Sequence, residues 1–172
     1  ADTYGGGIAL VMFGVPVDWA EDVRVVKFTL NSGDIKNNTT NGNGGGIYLM
    51  RNTMSEQSQE LKDKLPPGVL DGIAQIVLNG GTIQGNKAKG NGGGAYQEKN
   101  TEFVINKNVT ISSNQAGYNG GSGSGGAVYI ASGGKSSILN GTFLLSNNKA
   151  NNGNGGGMYC AGDFSVDKNA IA

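Results

Sequence analysis

The chain has 172 residues, 32 of them glycine and 21 asparagine, so nearly a third is made of two poor helix formers and an ordinary helical bundle is excluded. Thirteen lysines and arginines balance thirteen acids, which leaves neither a basic stripe for nucleic acid nor an acidic tail. Histidine is absent and cysteine occurs once, at Cys160, which excludes histidine-dependent triads, nearly all zinc sites and an intrachain disulfide framework. Three prolines and no Gly-X-Y period exclude collagen. No apolar run approaches the roughly 20 residues that cross a bilayer.

In chain order, Gly5, Gly6 and Gly7 lead into a predicted strand at Ile8, Ala9 and Leu10. An insertion near 11–26 follows, carrying Phe13, Val15, Val17 and Trp19 with Asp18, Glu21, Asp22 and Arg24. The next segment places Phe28, Leu30, Asn31, Ile35, Asn38 and Thr40 in sequence. Glycines return at Gly44, Gly45 and Gly46 before Ile47, Tyr48 and Leu49. A second insertion spans residues near 51–74. Its Thr53 and Glu56 have capping-box spacing ahead of Gln57–Leu65, and Pro66, Pro67 and Gly68 close it, which predicts a short helix near 54–65.

The same two signatures then recur. Ile76, Leu78, Asn79, Ile83, Asn86 and Ala88 precede Gly92, Gly93, Gly94, Ala95 and Tyr96. Phe103, Ile105, Asn106, Ile111, Asn114 and Ala116 precede Gly125, Gly126, Ala127, Val128, Tyr129 and Ile130. A fourth copy reads Ser137, Leu139, Asn140, Leu145, Asn148 and Ala150, then Gly155, Gly156, Gly157, Met158, Tyr159 and Cys160. A fifth begins at Phe164, Val166 and Asp167.

Tyr129 and Tyr159 are 30 residues apart and Tyr96 and Tyr129 are 33 apart. Period-two apolar runs bounded by Gly and Asn signal strands joined by turns. Three strands in about 30 residues, repeated without two-residue hairpin turns, describe one coil of a parallel β-helix. The expected fold is all-β: a right-handed parallel β-helix of about 4–5 coils forming one domain over 1–172. Both insertions leave the coil at the same corner, so they are expected to form one side lobe containing the short helix. Right-handedness follows from the preference of parallel crossovers. Stacking like on like would make Ile35, Ile83, Ile111 and Leu145 an interior row, and Thr40, Ala88, Ala116 and Ala150 a row of small residues. Asn38, Asn86, Asn114 and Asn148 would form an asparagine ladder at a corner.

These repeats resemble those of bacterial surface β-helix proteins, including the chlamydial polymorphic membrane proteins. Gly125, Gly126, Ala127 and Val128 match that family's Gly-Gly-Ala-[Ile/Leu/Val] motif, and Phe28–Asn31 and Phe103–Asn106 match its Phe-x-x-Asn motif. The fuller pattern resembles repeat arrays in predicted surface proteins of spirochaetes and Bacteroidetes. The resemblance implies a secreted or cell-surface location, often with an adhesive role. It also implies partners among other segments or copies of the same surface protein, or a host or bacterial protein or glycan. Neither end carries a recognisable polar cap, so the chain is expected to be part of a longer array or to stack on another subunit.

Two places are candidates for binding. The lobe offers Trp19 with Asp18, Glu21 and Asp22, although its apolar residues also suit packing against the β-helix wall. Tyr48, Tyr96, Tyr129 and Tyr159 would project outward if Ile47 and Leu49 point inward, either to meet sugar rings or to serve only as an aromatic ladder. A carbohydrate-active enzyme needs paired carboxylates. Asp18, Glu21 and Asp22 are the densest acidic cluster and Glu98 with Glu102 the next, but neither falls on equivalent strand positions of neighbouring coils. Gly121, Gly123, Gly125 and Gly126 mimic the glycines of calcium-binding repeats without their aspartate. No cofactor or metal is expected. The sequence therefore points to a non-catalytic structural or adhesive segment, with a polysaccharide hydrolase or lyase and a subunit of a surface assembly as alternatives.

Overall fold

The computed structural model describes residues 2–12, 25–51, 73–168 and 170–171. Among these residues the chain is all-β, without helix. It passes repeatedly through the same four stations. The first pass runs through β1 (Ile8–Met12), β2 (Val25–Leu30), β3 (Asp34–Lys36) and β4 (Thr39–Thr40). The second runs through β5 (Ile47–Arg51), β6 (Ile73–Leu78), β7 (Gly81–Gln84) and β8 (Lys87–Ala88). The third runs through β9 (Ala95–Gln97), β10 (Thr101–Ile105), β11 (Val109–Ser112) and β12 (Gln115–Ala116). The fourth runs through β13 (Val128–Ile130), β14 (Lys135–Ile138), β15 (Gly141–Ser146) and β16 (Lys149–Ala150). The fifth adds β17 (Met158–Cys160), β18 (Asp163–Val166) and β19 (Ala170–Ile171).

Each station is an open parallel sheet: β1-β5-β9-β13-β17, β2-β6-β10-β14-β18, β3-β7-β11-β15-β19 and β4-β8-β12-β16. Four strands per pass replace the three expected from the sequence. The additional one is only two residues long, too short for a period-two signal to register. The insertions expected near 11–26 and 51–74 are entered and left by strands β1, β2, β5 and β6. The rest of both, with the helix expected near 54–65 and the residues Asp18, Trp19, Glu21 and Asp22, lies outside the described residues.

Register follows the sequence repeat residue by residue. Ile35 pairs with Ile83, Ile83 with Ile111 and Ile111 with Leu145, forming the interior aliphatic row. Thr40, Ala88, Ala116 and Ala150 align as the small row. The fourth copy departs from its sequence alignment by one residue. Phe103 pairs with Ser136 rather than Ser137, and Ile105 with Ile138 rather than Leu139. A one-residue slip exchanges the two faces of a strand, and Leu139 accordingly lies 40% exposed past the end of β14.

The first glycine of each run, Gly5, Gly44, Gly92, Gly125 and Gly155, has φ between 55° and 69°, a left-handed corner repeated at every pass. A Cβ on the second, such as Gly93, would strike the carbonyl of Gly126 in the next pass, whereas the third position accepts Ala127. A second recurring left-handed corner falls at Asn37, Gly85, Ser113 and Asn147, one residue before each asparagine of the ladder. The ladder asparagines themselves are therefore free to point their amides along the stack.

Inward side chains of the sheets build one continuous apolar core, from Ile35, Ile47 and Leu49 through Ile76, Ile83, Phe103 and Ile111 to Val128, Ile130 and Phe143. A buried polar pair, Gln97 with Ser136, is set into it near the middle. Gln97, in register between Leu49 and Ile130, donates to the carbonyls of Thr101 and Lys135, each at 2.8 Å, and accepts from Ser136 Oγ. Such a pair tolerates burial because every polar atom is satisfied.

Candidate functional site

Tyr48, Tyr96, Tyr129 and Tyr159 stand in register on successive strands β5, β9, β13 and β17. Alternation along the strand turns them away from the core occupied by Ile47, Leu49, Val128 and Ile130. Parallel strands lie about 4.8 Å apart, which is near the spacing of stacked aromatic planes. The rings accordingly stack, with centroids 5.4, 5.0 and 4.9 Å apart and planes within 13° of parallel. The first pass has Ala9 at the equivalent position, and Tyr4 fills the gap with its centroid 4.5 Å from that of Tyr48. Tyr4 bridges Asn43, so it belongs to a different row of the repeat and alignment of like with like does not reveal its part in the column.

The geometry changes what the column can offer. Ring faces inside it are occupied by neighbouring rings, so sugar stacking on those faces is sterically blocked, and outer edges remain open only at Tyr4, Tyr129 and Tyr159, since Tyr48 and Tyr96 are buried. Tyr48 is only 1% exposed, while Tyr4 is 49% exposed. The Tyr48 hydroxyl donates to Glu98 Oε1 at 3.3 Å and contacts Met50 Sδ at 3.5 Å. Burial, followed by the negative charge of Glu98, holds the Tyr48 and Tyr96 phenols well above the usual tyrosine range. Tyr129 shifts the same way, mainly through burial.

Beside the column, where the first sheet turns into the second, three passes bound a polar hollow of about 140 Å³. Its lining is Arg51 from the second pass, Asn100, Thr101 and Glu102 from the third, and Gly133 and Lys135 from the fourth. Tight turns fix its walls: Asn100, at φ 57°, donates its backbone N–H to Gly133 O at 2.9 Å, and Gly133 has φ 81°. Gln75 Nε2 donates to Glu102 Oε2 at 2.8 Å. Glu102 stands opposite Lys135 in register, and Lys135 opposite Asp163, along an outward row that begins with Lys27 and Gln75.

The sequence singled out Glu98 and Glu102 as an acidic pair. The structure separates their engagements, Glu98 with the tyrosine column and Glu102 with Gln75. Arg51, Asn100 and Lys135 escape sequence reasoning because they occupy three different repeat positions and meet only at the corner. Their one legible signal is the charge pattern of the outward row, which depends on the corrected register of the fourth copy. Among the described residues, no three acidic or sulfur side chains converge as metal ligands. Comparison with protein-family models, curated proteins and solved structures returns no match.

Proposed function

We propose that this chain is a length of right-handed parallel β-helix, about four and a half coils long, acting outside the cell as a non-catalytic structural or adhesive segment. The observation that carries this reading is the unbroken parallel register of like residues, Tyr48 on Tyr96 on Tyr129 on Tyr159, across successive repeats. Handedness follows from the general preference of parallel crossovers. A scaffold role is supported by the use of the repeated polar side chains: the asparagines at 38, 86, 114 and 148 bond to one another rather than converging on a common point in space.

Display at a cell surface is supported by the resemblance of the glycine runs and Phe-x-x-Asn motifs to bacterial surface arrays. The partner is another segment or copy of such a protein, or a surface protein or glycan. Contact runs through the outer edge of the tyrosine column or through a side lobe, built from the insertions near 11–26 and 51–74, that carries Asp18, Trp19, Glu21 and Asp22. Binding to a glycan array and to intact cells tests this. Saturable binding that Trp19→Ala or Tyr4→Ala removes without lowering Tm is the expected result. Release of reducing ends from a polysaccharide panel would replace it with an enzymatic function.

A further inference from the structure

We propose that Asn119 is a self-modification site, whose side-chain amide becomes a carboxylate through attack by the Gly120 backbone nitrogen ahead of every other Asn-Gly step in the chain. The Gly120 nitrogen loses its proton to water or hydroxide and bonds to Asn119 Cγ. The Cγ–Nδ2 bond then breaks and ammonia departs with a proton, leaving a cyclic imide. Water adds to either imide carbonyl and opens the ring, giving aspartate or its β-linked isomer. Glycine after asparagine favours this approach because no Cβ stands in the way.

Eight Asn-Gly steps occur, and the stacking of passes restrains all but one. At Asn43, the side-chain oxygen accepts the Asn91 N–H at 2.8 Å and the Gly44 N–H donates to Asn91 O at 3.0 Å. Asn91 Oδ1 and the Gly92 N–H bond to the main chain of Ser124 in the same way, at 2.8 and 2.9 Å. The outer ladder holds the amides of Asn79 and Asn140. After Asn41, the Gly42 N–H donates to Thr40 Oγ1 at 3.2 Å. Asn152 is tied through its amide to Gly121 O at 3.5 Å and through its carbonyl to Ser122 Oγ at 2.6 Å. The Asn154–Gly155 peptide is pinned on both sides, since both carbonyls accept N–H groups, from Gly125 and Gly126.

Asn119 differs. It lies exposed, with Gly120, in the segment 117–124, eight residues where the other passes use three or four between the small row and the glycine run. Among the described residues, neither its amide nor the Gly120 N–H has a hydrogen-bond partner. Their φ angles of 53° and 77° form a tight turn closed by the Gly121 N–H donating to Tyr118 O at 3.2 Å. A Cβ on Gly120 would meet nothing within 4 Å, so the peptide can swing toward Cγ by breaking only that bond. Conversion moves the formal charge from 13 against 13 to 13 against 14. The new carboxylate follows Tyr118, whose ring carries Lys87 Nζ at 4.7 Å.

The full chain is incubated at mildly alkaline pH, folded and in urea, and its peptides are followed by mass spectrometry with isoaspartate labelling. In the folded chain Asn119 should convert first, at least about tenfold faster than Asn43 and Asn91, where attack requires two hydrogen bonds to open. In urea the eight steps should convert at similar rates. Asn119→Gln should abolish the early acidic form on isoelectric focusing. Asn119→Asp, one product of the reaction, should melt with the parent because the turn accepts aspartate and the amide bonds to nothing. Another Asn-Gly step leading in the folded chain, or Asn119 intact once the unfolded chain has converted, overturns the inference. So does an acidic form that appears equally fast in Asn119→Gln, or a lowered melt of Asn119→Asp.

Discussion

Two asparagine ladders run along this molecule, and they differ in depth, direction and number of bonds. In the inner one, Asn38 donates to Asn86, Asn86 to Asn114 and Asn114 to Asn148, at 2.9 to 3.0 Å. Each accepting oxygen also takes the backbone N–H of the preceding asparagine. Each amide of Asn86, Asn114 and Asn148 also donates back to a carbonyl of the interior row, Ile35, Ile83 and Ile111 in turn. The outer ladder points the other way. Asn79 donates to Asn31, Asn106 to Asn79 and Asn140 to Asn106, at 2.8 to 3.2 Å, partly or wholly in water. A buried amide with all its capacity committed is costly to remove, whereas water replaces the partners of an exposed one. One residue type in one repetitive pattern thus does two different jobs.

The strongest way to break this comparison is Asn114→Ala. It strands the backbone N–H and one amide N–H of Asn86 and removes the side-chain donor to the carbonyl of Ile83, in buried surroundings. The expected loss is about 3–5 kcal/mol in urea unfolding, or roughly 6–20 °C in Tm. Gln97→Leu comes next. It leaves Ser136 Oγ and the carbonyls of Thr101 and Lys135 without their amide partner, at an expected cost of about 1–3 kcal/mol. Adding Ser136→Val, in register with Phe103 and Phe164, removes the stranded hydroxyl but not the two carbonyls, so it should recover only the smaller part of that loss.

A third stacked row sharpens the comparison through pH. The Tyr48 and Tyr96 pKa values are raised by burial above the ordinary 10.0. The unfolded chain therefore loses these protons first, so their contribution is complete below pH 10 and declines as pH rises beyond it. Alkaline unfolding should begin near that pH, and Tyr48→Phe should move it upward while changing little at neutral pH. Asn106→Ala in the outer ladder should cost only about 0.5–1 kcal/mol by the same urea assay. A loss matching that of Asn114→Ala would erase the distinction between the ladders. Least of all, Asp34→Asn removes a fully exposed ion pair with Lys36, at 2.8 Å, that holds the Asp34 carboxyl below its usual range. Its contribution is present above the normal carboxylate pKa and fades as pH falls, and solvent screening should leave Tm unchanged.

The inner ladder, the aliphatic row and the tyrosine row were legible because each recurs at matched positions with one residue type. The fourth copy was misaligned because Ser137, Leu139 and Asn140 imitate the Phe-x-x-Asn pattern one position late, and the pairing of Ile138 with Ile105 overrides that imitation. Asn140 still reaches Asn106 at 3.2 Å from its shifted place. The polar hollow was not legible. Its residues share no repeat position, and only the corner geometry brings them together.

Burial also differs along the stack in a way no repeat predicts. Phe103 is buried, while its counterpart Phe164 is 37% exposed, with Val166 more open still. A side chain in this architecture is covered largely by the passes above and below it, so identical motifs acquire different environments with position. The sequence by itself determined the parallel stacking and the identity of its main rows, because a period-two pattern repeated about every 30 residues has few ways to bury its apolar face. Tertiary structure alone decided the direction of each amide ladder, the insertion of Tyr4 into the column and the meeting of Arg51, Glu102 and Lys135. Those depend on distances between passes of the chain, and linear spacing carries no information about which edges meet at a corner.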